Sequence, residues 1–203
     1  MRSLFSGPIR RSFRDIPTLE TPRLVLRKIL PQDLEDMYDY SRDPETSKYL
    51  LWEPHTSREY TRTHIRYLQK EYQSASFFDW ALIHKETGKM IGTCGFTEIY
   101  ERKRCAEVGY VLSPRFHRMG LAPEALQRIM DYGFKVLGLK KLSGRFMEDN
   151  LASRKVLERL GYQEDTVKRE YFYKRGKKQQ ILTYSITDKE YQSNLNQRRT
   201  FSE

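Results

Sequence analysis

From Glu107 to Leu126 the chain reads Glu-Val-Gly-Tyr-Val-Leu-Ser-Pro-Arg-Phe-His-Arg-Met-Gly-Leu-Ala-Pro-Glu-Ala-Leu. An apolar run ends at Leu112, Pro114 bends the chain, a loop with one glycine follows, and an amphipathic helix begins. Such a strand–loop–helix joint belongs to an α/β domain. It also leaves the helix N-terminus facing outward, where free N–H groups and the positive end of the dipole can hold a phosphate. Gly120 lets the backbone approach a ligand with no Cβ in the way, and Arg118 adds a positive charge. The segment reads as a pyrophosphate cradle. A P-loop would need Gly-Lys-Ser/Thr at its end, which is absent, and a dinucleotide fingerprint would need three spaced glycines where only Gly120 stands.

The hexad His117-Arg-Met-Gly120-Leu-Ala122 is similar to motif A of the GNAT superfamily of N-acetyltransferases, Gln/Arg-x-x-Gly-x-Gly/Ala after a strand, with histidine in the first place. Downstream, Asn150-Leu-Ala-Ser153-Arg-Lys-Val-Leu157-Glu-Arg-Leu160-Gly-Tyr162 resembles the later family motif Asn-x-x-Ser/Ala-x-x-Leu-x-x-x-Gly-Phe. Leu19-Glu-Thr-Pro-Arg23-Leu-Val-Leu-Arg27 looks like the opening strand of the branch of ribosomal-protein N-terminal (alanine/serine) acetyltransferases, and Ile91-Gly-Thr-Cys-Gly-Phe96 like its central strand. The resemblance spans residues 18 to 190. It implies an α/β fold with a mixed, mostly antiparallel central sheet, splayed and flanked by helices.

Local signals divide the chain. A basic extension, residues 1–17, carries Arg2, Arg10, Arg11 and Arg14; it has the composition of a transit peptide, but Phe5, Ile9, Phe13 and Ile16 fit packing on the domain or on a second subunit. The domain spans 18–190 and a polar tail 191–203. Within the domain we expect a strand over Arg23–Ile29, a helix from Pro31 to about Ser41, and a helix over Ser57–Gln73. Three strands follow, about Phe78–His84, Met90–Tyr100 and Arg104–Leu112. A helix over Ala122–Leu137 buries Ala122, Ala125, Leu126, Ile129 and Met130. A strand over Lys141–Phe146, a helix capped by Asn150 and a hairpin, Gln163–Tyr173 with Ile181–Thr187 turning at Arg175-Gly176, complete it. Tyr49-Leu-Leu-Trp-Glu-Pro54 is an aromatic loop that reads equally as acceptor wall or core plug.

The net charge of +10 fits a solvated basic surface and an anionic cosubstrate. No RNA-recognition signature accompanies it, so nucleic acid is not the expected substrate, and no apolar run reaches membrane-spanning length. Cys94 and Cys105 have no metal-ligand spacing. A cytoplasmic chain with reduced thiols and no metal is the simplest reading; monomer and homodimer both stay open.

The resemblance implies direct acetyl transfer from acetyl-CoA to a primary amine, without an acyl-enzyme. Glu107 is the candidate base, with Glu170 or water as alternatives, and Ser153 the candidate proton donor to the leaving thiolate. The cosubstrate would lie against Val111, Leu112, His117, Arg118, Met119, Gly120, Leu121, Ala122, Asn150 and Ser153, with the Leu112 N–H polarising the thioester. A protein N-terminal amine and a small-molecule amine both remain open as acceptor. Polyamine or antibiotic acetylation would favour an acidic cleft, which the overall charge does not advertise. A non-catalytic CoA-binding or ribosome-associated module is the reading from another class.

Overall fold

In the computed structural model, residues 16–74, 77–165, 170–174 and 176–200 are described. The basic residues of the N-terminal extension and Arg175 at the hairpin turn lie outside them. Ile16, at the inner end of that extension, is buried in the core, and Pro17 offers its carbonyl to the Trp80 indole at 2.9 Å.

The strands are β1 (Leu19–Glu20), β2 (Leu24–Arg27), β3 (Phe78–His84), β4 (Met90–Tyr100), β5 (Cys105–Leu112), β6 (Lys141–Met147), β7 (Gln163–Glu164), β8 (Glu170–Lys174) and β9 (Lys177–Thr187). They form one sheet in the order β1-β2-β3-β4-β5-β6-β9-β7, with β8 sharing the outer edge of β9. The β5–β6 pair is parallel and the other pairs are antiparallel. This is the mixed, mostly antiparallel sheet expected. The last hairpin differs in detail: β9 starts at Lys177 rather than near Ile181, and Gln163–Glu164 is a separate short strand on its edge.

Helices cover both faces: α1 (Leu34–Ser41), α2 (Pro44–Ser47), α3 (Arg58–Ser74), α4 (Leu121–Asp131), α5 (Leu151–Arg159) and α6 (Asp188–Thr200). Alternation along β3 assigns the faces. Trp80 points to the side of α4 and packs edge-on against Phe96 and against Tyr132 in the π-helical turn that prolongs α4. Asp79 points to the side of α1 and α3. Leu121, Ala125, Leu126, Ile129 and Met130 form the buried stripe of α4; Leu121 takes the place expected of Ala122, which is only half buried.

Pro31 opens a short 3-10 turn ahead of α1, and there Asp33 receives both guanidinium nitrogens of Arg27, at 2.7 and 2.8 Å, plus the Leu30 amide at 2.7 Å. That bidentate pair ties the end of β2 to the start of α1. α6 runs through residue 190, where the sequence suggests a polar tail. Tyr191 is buried, stacks near Phe134 at 4.9 Å and accepts from the Gln127 amide.

Two register features shape the centre of the sheet. A bulge between Phe96 and Glu98 shifts β4 against β5, and the β5–β6 pairing stops at Val108↔Gly144 although both strands continue. Tight glycines let the strands pass: a Cβ on Gly95 would overlap the Phe78 carbonyl and come within 2.7 Å of the Asp79 Cα. We expect Gly95→Ala to destabilise the fold by about 1–3 kcal/mol, the usual cost of overpacking. Thermal unfolding would show this as a drop of several degrees, and an unchanged melting temperature would contradict the register.

Candidate active site

Beyond Val108, β5 remains hydrogen-bonded to β4 out to Leu112, and β6 remains paired with β9 out to Met147. The two strands therefore diverge, which is the splay that the family resemblance implies. The Ser113 amide donates to Ile91 on β4 at 2.7 Å. N–H directions alternate along a strand, so the Leu112 and Tyr110 amides point to the other edge, into the gap. The Leu112 carbonyl points there too and accepts from His117 Nε2 at 2.9 Å. A carbonyl can only accept, so that nitrogen carries the imidazole proton.

The loop after β5 has the geometry of an anion cradle. Gly120 caps α4 at φ 75°, in the left-handed region, and Arg118 sits at φ 62°. No side chain caps α4. The amides of Leu121 and Ala122 are among those an α-helix leaves without an intrahelical partner. A Cβ on Gly120 would meet only the Arg23 guanidinium, at 3.5 Å. Arg23 also bonds the Met119 carbonyl at 2.8 Å and pairs with Glu124 at 2.6 Å. Burial works to raise the Glu124 pKa, but hydrogen bonds from Thr21 and Arg23 outweigh it and keep the carboxyl ionised. Arg23 thereby neutralises the one acid in the first turn of α4 and leaves the dipole available. These residues fit the pyrophosphate of CoA.

The gap between β5 and β6 opens on a cavity of about 510 Å³. Glu107, Val111, Asn150, Ser153 and Glu170 line it; the loop from His117 to Ala122 lies beyond its rim, and Leu112 is buried at the end of β5. The cradle and the cavity are thus separate stations joined by the open edge of β5. Tyr49, Leu50 and Trp52 from the aromatic loop also line the cavity. That loop is held from across the site by Lys174, whose Nζ donates to the carbonyls of Ser47 at 2.7 Å, Trp52 at 3.3 Å and Leu50.

Glu107 is half buried, and its closest cation is Arg145 at 3.7 Å. Arg145 bonds Glu170 more closely. Burial pushes the Glu107 carboxyl above its ordinary pKa, Arg145 pulls it back, and the like charges of Glu98 and Glu170 push it up again. On the opposite wall, Asn150 Oδ1 accepts from the Ser153 amide at 3.1 Å and so caps α5 as its position suggests. The Ser153 hydroxyl lies 2.7 Å from the Tyr110 hydroxyl. Burial lifts the Tyr110 pKa far above the phenol range, so it stays protonated. Cys94 is buried with its thiol pushed up by burial, and acts as a core residue.

Residues not singled out in the sequence complete the site: Tyr110, Arg145, Asp79 and His64. Tyr110 and Arg145 meet their partners only through tertiary folding. Asp79 left a trace, a lone acid in the apolar run Phe77-Phe-Asp-Trp-Ala-Leu82.

Comparison with known proteins identifies the family and the fold. The model of the acetyltransferase (GNAT) domain matches residues 23–163. The uncharacterized N-acetyltransferase YoaA of Bacillus subtilis (strain 168) is 34% identical over 84% of this chain and 96% of its own length. Among solved structures, RimL, a ribosomal L7/L12 α-N-protein acetyltransferase in complex with coenzyme A, superposes with TM-score 0.73 at 21% identity, covering 85% of this chain and 97% of RimL. The spermidine N-acetyltransferase of Vibrio cholerae, in complex with CoA and spermine, gives TM-score 0.73 at 22% identity over 84% of this chain and 99% of its own. A split β5–β6 edge, a left-handed glycine at the start of α4 and a matching family domain lead to one conclusion: this chain is an acetyltransferase of the GNAT family.

Proposed function

We propose that residues 18–190 transfer the acetyl group of acetyl-CoA directly to a primary amine. The observation that carries this reading is the open edge of β5, with the anion cradle at one end and Glu107 over the cavity at the other. Acetyl-CoA supplies the activated thioester. The amides of Arg118 to Ala122 hold its pyrophosphate, and the Leu112 N–H donates to the thioester oxygen. Glu107, its basicity raised by burial, takes the proton that the amine loses as the N–C bond forms. As the C–S bond breaks, the sulfur takes a proton from the Ser153 hydroxyl, which Tyr110 orients and which solvent water reprotonates. Val111 and Asn150 line the cavity beside that edge. Release of free CoA, measured with acetyl-CoA and a panel of peptides and small amines, tests the reading; a folded protein that binds CoA and acetylates no amine refutes it.

Gly120→Pro removes an amide and cannot adopt the left-handed φ at that position. We expect CoA affinity to fall about tenfold or more by calorimetry, with the far-ultraviolet circular dichroism retained; unchanged affinity in the folded variant would rule out the cradle. Glu107→Gln should lower kcat by about 10²–10⁴-fold, and Ser153→Ala by less, with CoA binding intact in both. The sign of the pH dependence follows from the raised pKa. The base form of Glu107 is lost as pH falls through that value, so the acid limb of kcat lies above the ordinary glutamate range. Arg145→Met removes the charge that pulls the value down, so the limb should move to higher pH. A rate–pH profile checks this, and a limb that stays put or moves down excludes Glu107 as the base.

A further inference from the structure

The transfer chemistry leaves one carboxylate of the cavity without a task. Asp79 stands between Phe78 and Trp80, both fully buried on the opposite face, and its remaining accessible surface lines the cavity. Tyr40 from α1, His64 and Leu68 from α3, Phe77 and Thr93 surround the same end. The Thr93 hydroxyl bonds the Asp79 carboxyl, and burial lifts its pKa to about 7. The titratable groups whose fields meet it, Tyr40, Tyr72 and Cys94, are all neutral acids held protonated by burial. His64 is also kept neutral by burial. Among the described residues no lysine or arginine contributes to its electrostatics. A largely enclosed carboxylate without a cation is costly.

Register relates Asp79 to the reaction centre. It faces Gly95 across β4, Gly95 faces Gly109 on β5, and Glu107 lies two residues from Gly109 on the same face. Neither glycine carries a side chain, and the Thr97 methyl, which also lines the cavity, covers Gly109 between the two acids. Two strand spacings and two residues of rise separate their Cα atoms by roughly 12 Å. Among the described residues, the cavity thus carries Asp79, Glu107 and Glu170 against the guanidinium of Arg145, which is already engaged with Glu107 and Glu170. It is locally acidic in a chain of net charge +10.

We propose that the acceptor is a small molecule with two amines: one nitrogen reacts at Glu107, and the second, an ammonium, is held by Asp79 against the aromatic wall of Tyr40 and Phe77. This deepens the acetyl-transfer reading and rests on it. The distal ammonium supplies the missing cation for Asp79, and ring faces favour the same charge. A cavity of about 510 Å³ is of small-molecule size.

The test uses α,ω-diaminoalkanes of increasing length and n-alkylamines of matching length, with acetyl-CoA. In the unaltered protein one diamine length should exceed its alkylamine in kcat/KM by about tenfold or more. Asp79→Asn keeps size and the contact with Thr93, and should collapse that ratio toward one, mainly through KM. A ratio near one in the unaltered protein, or a ratio that Asp79→Asn leaves intact, overturns the proposal. Calorimetric titration of the same diamine into the CoA-bound protein separates it from the acetyl-transfer reading. If no amine is acetylated yet the diamine binds and Asp79→Asn weakens it about tenfold or more, the reaction is wrong and the site stands; equal binding to both proteins overturns the site. A peptide with a free N-terminus and one lysine that outperforms every diamine overturns the small-molecule assignment.

Discussion

The structure depends on where β5 and β6 stop pairing. Each strand keeps its antiparallel neighbour, β5 following β4 to Leu112 and β6 following β9 to Met147, while their mutual parallel ladder ends at Gly144. A sheet edge opened in the interior of a domain exposes N–H and C=O groups that must find partners. Here His117 takes one carbonyl, and the amides of Tyr110 and Leu112 remain directed into the gap. α5 supports the split from below: Leu157 packs so closely under Gly144 that a Cβ there would lie 3.0 Å from its methyl. With α5 in that place, Asn150 and Ser153 face the gap, and the chain leaving β5 enters α4 through the left-handed turn at Gly120.

Two aspartates show how the fold distributes charge. Asp33 is buried yet fully matched, by a bidentate arginine and an amide. Asp79 has a threonine hydroxyl and an elevated pKa. The folded state keeps the Asp79 proton to about pH 7, whereas an unfolded chain releases it near pH 4. Stability from this group is therefore present at low pH and lost as pH rises between those values. The loss falls on the wall of the cavity, where a ligand can offset it. Lys174 is a buried cation held by backbone carbonyls, with Glu53 at 3.9 Å, and it fixes the aromatic loop that closes the same cavity.

Much of this was legible locally. Pro31 and Asn150 mark helix starts, Gly138 and Gly161 adopt the left-handed φ that ends helices, and the apolar periods of β3, β4 and α4 match their burial. Other features were not legible because contacts distant in sequence decide them. α6 is polar along nearly its whole length and docks through Tyr191, beside Phe134 and Gln127, with Leu195 packed on the same core. The Tyr110–Ser153 pair joins residues 43 apart, and Lys174 reaches carbonyls more than 120 positions away.

The sequence by itself determined most of the elements, the capping of α5, the glycine at the start of α4 and, through its motifs, the family. Those depend on interactions within a few residues: φ preferences, caps and the two periodicities. Tertiary structure alone decided that the β5–β6 ladder ends at Gly144, that Arg145 stands between Glu107 and Glu170, and that Asp79 shares a face with Glu107 across two glycines. Sheet register makes those choices. A shift of one residue in β3 would turn Asp79 away from the cavity and put Trp80 into it, and only the packing of both faces at once selects between the two.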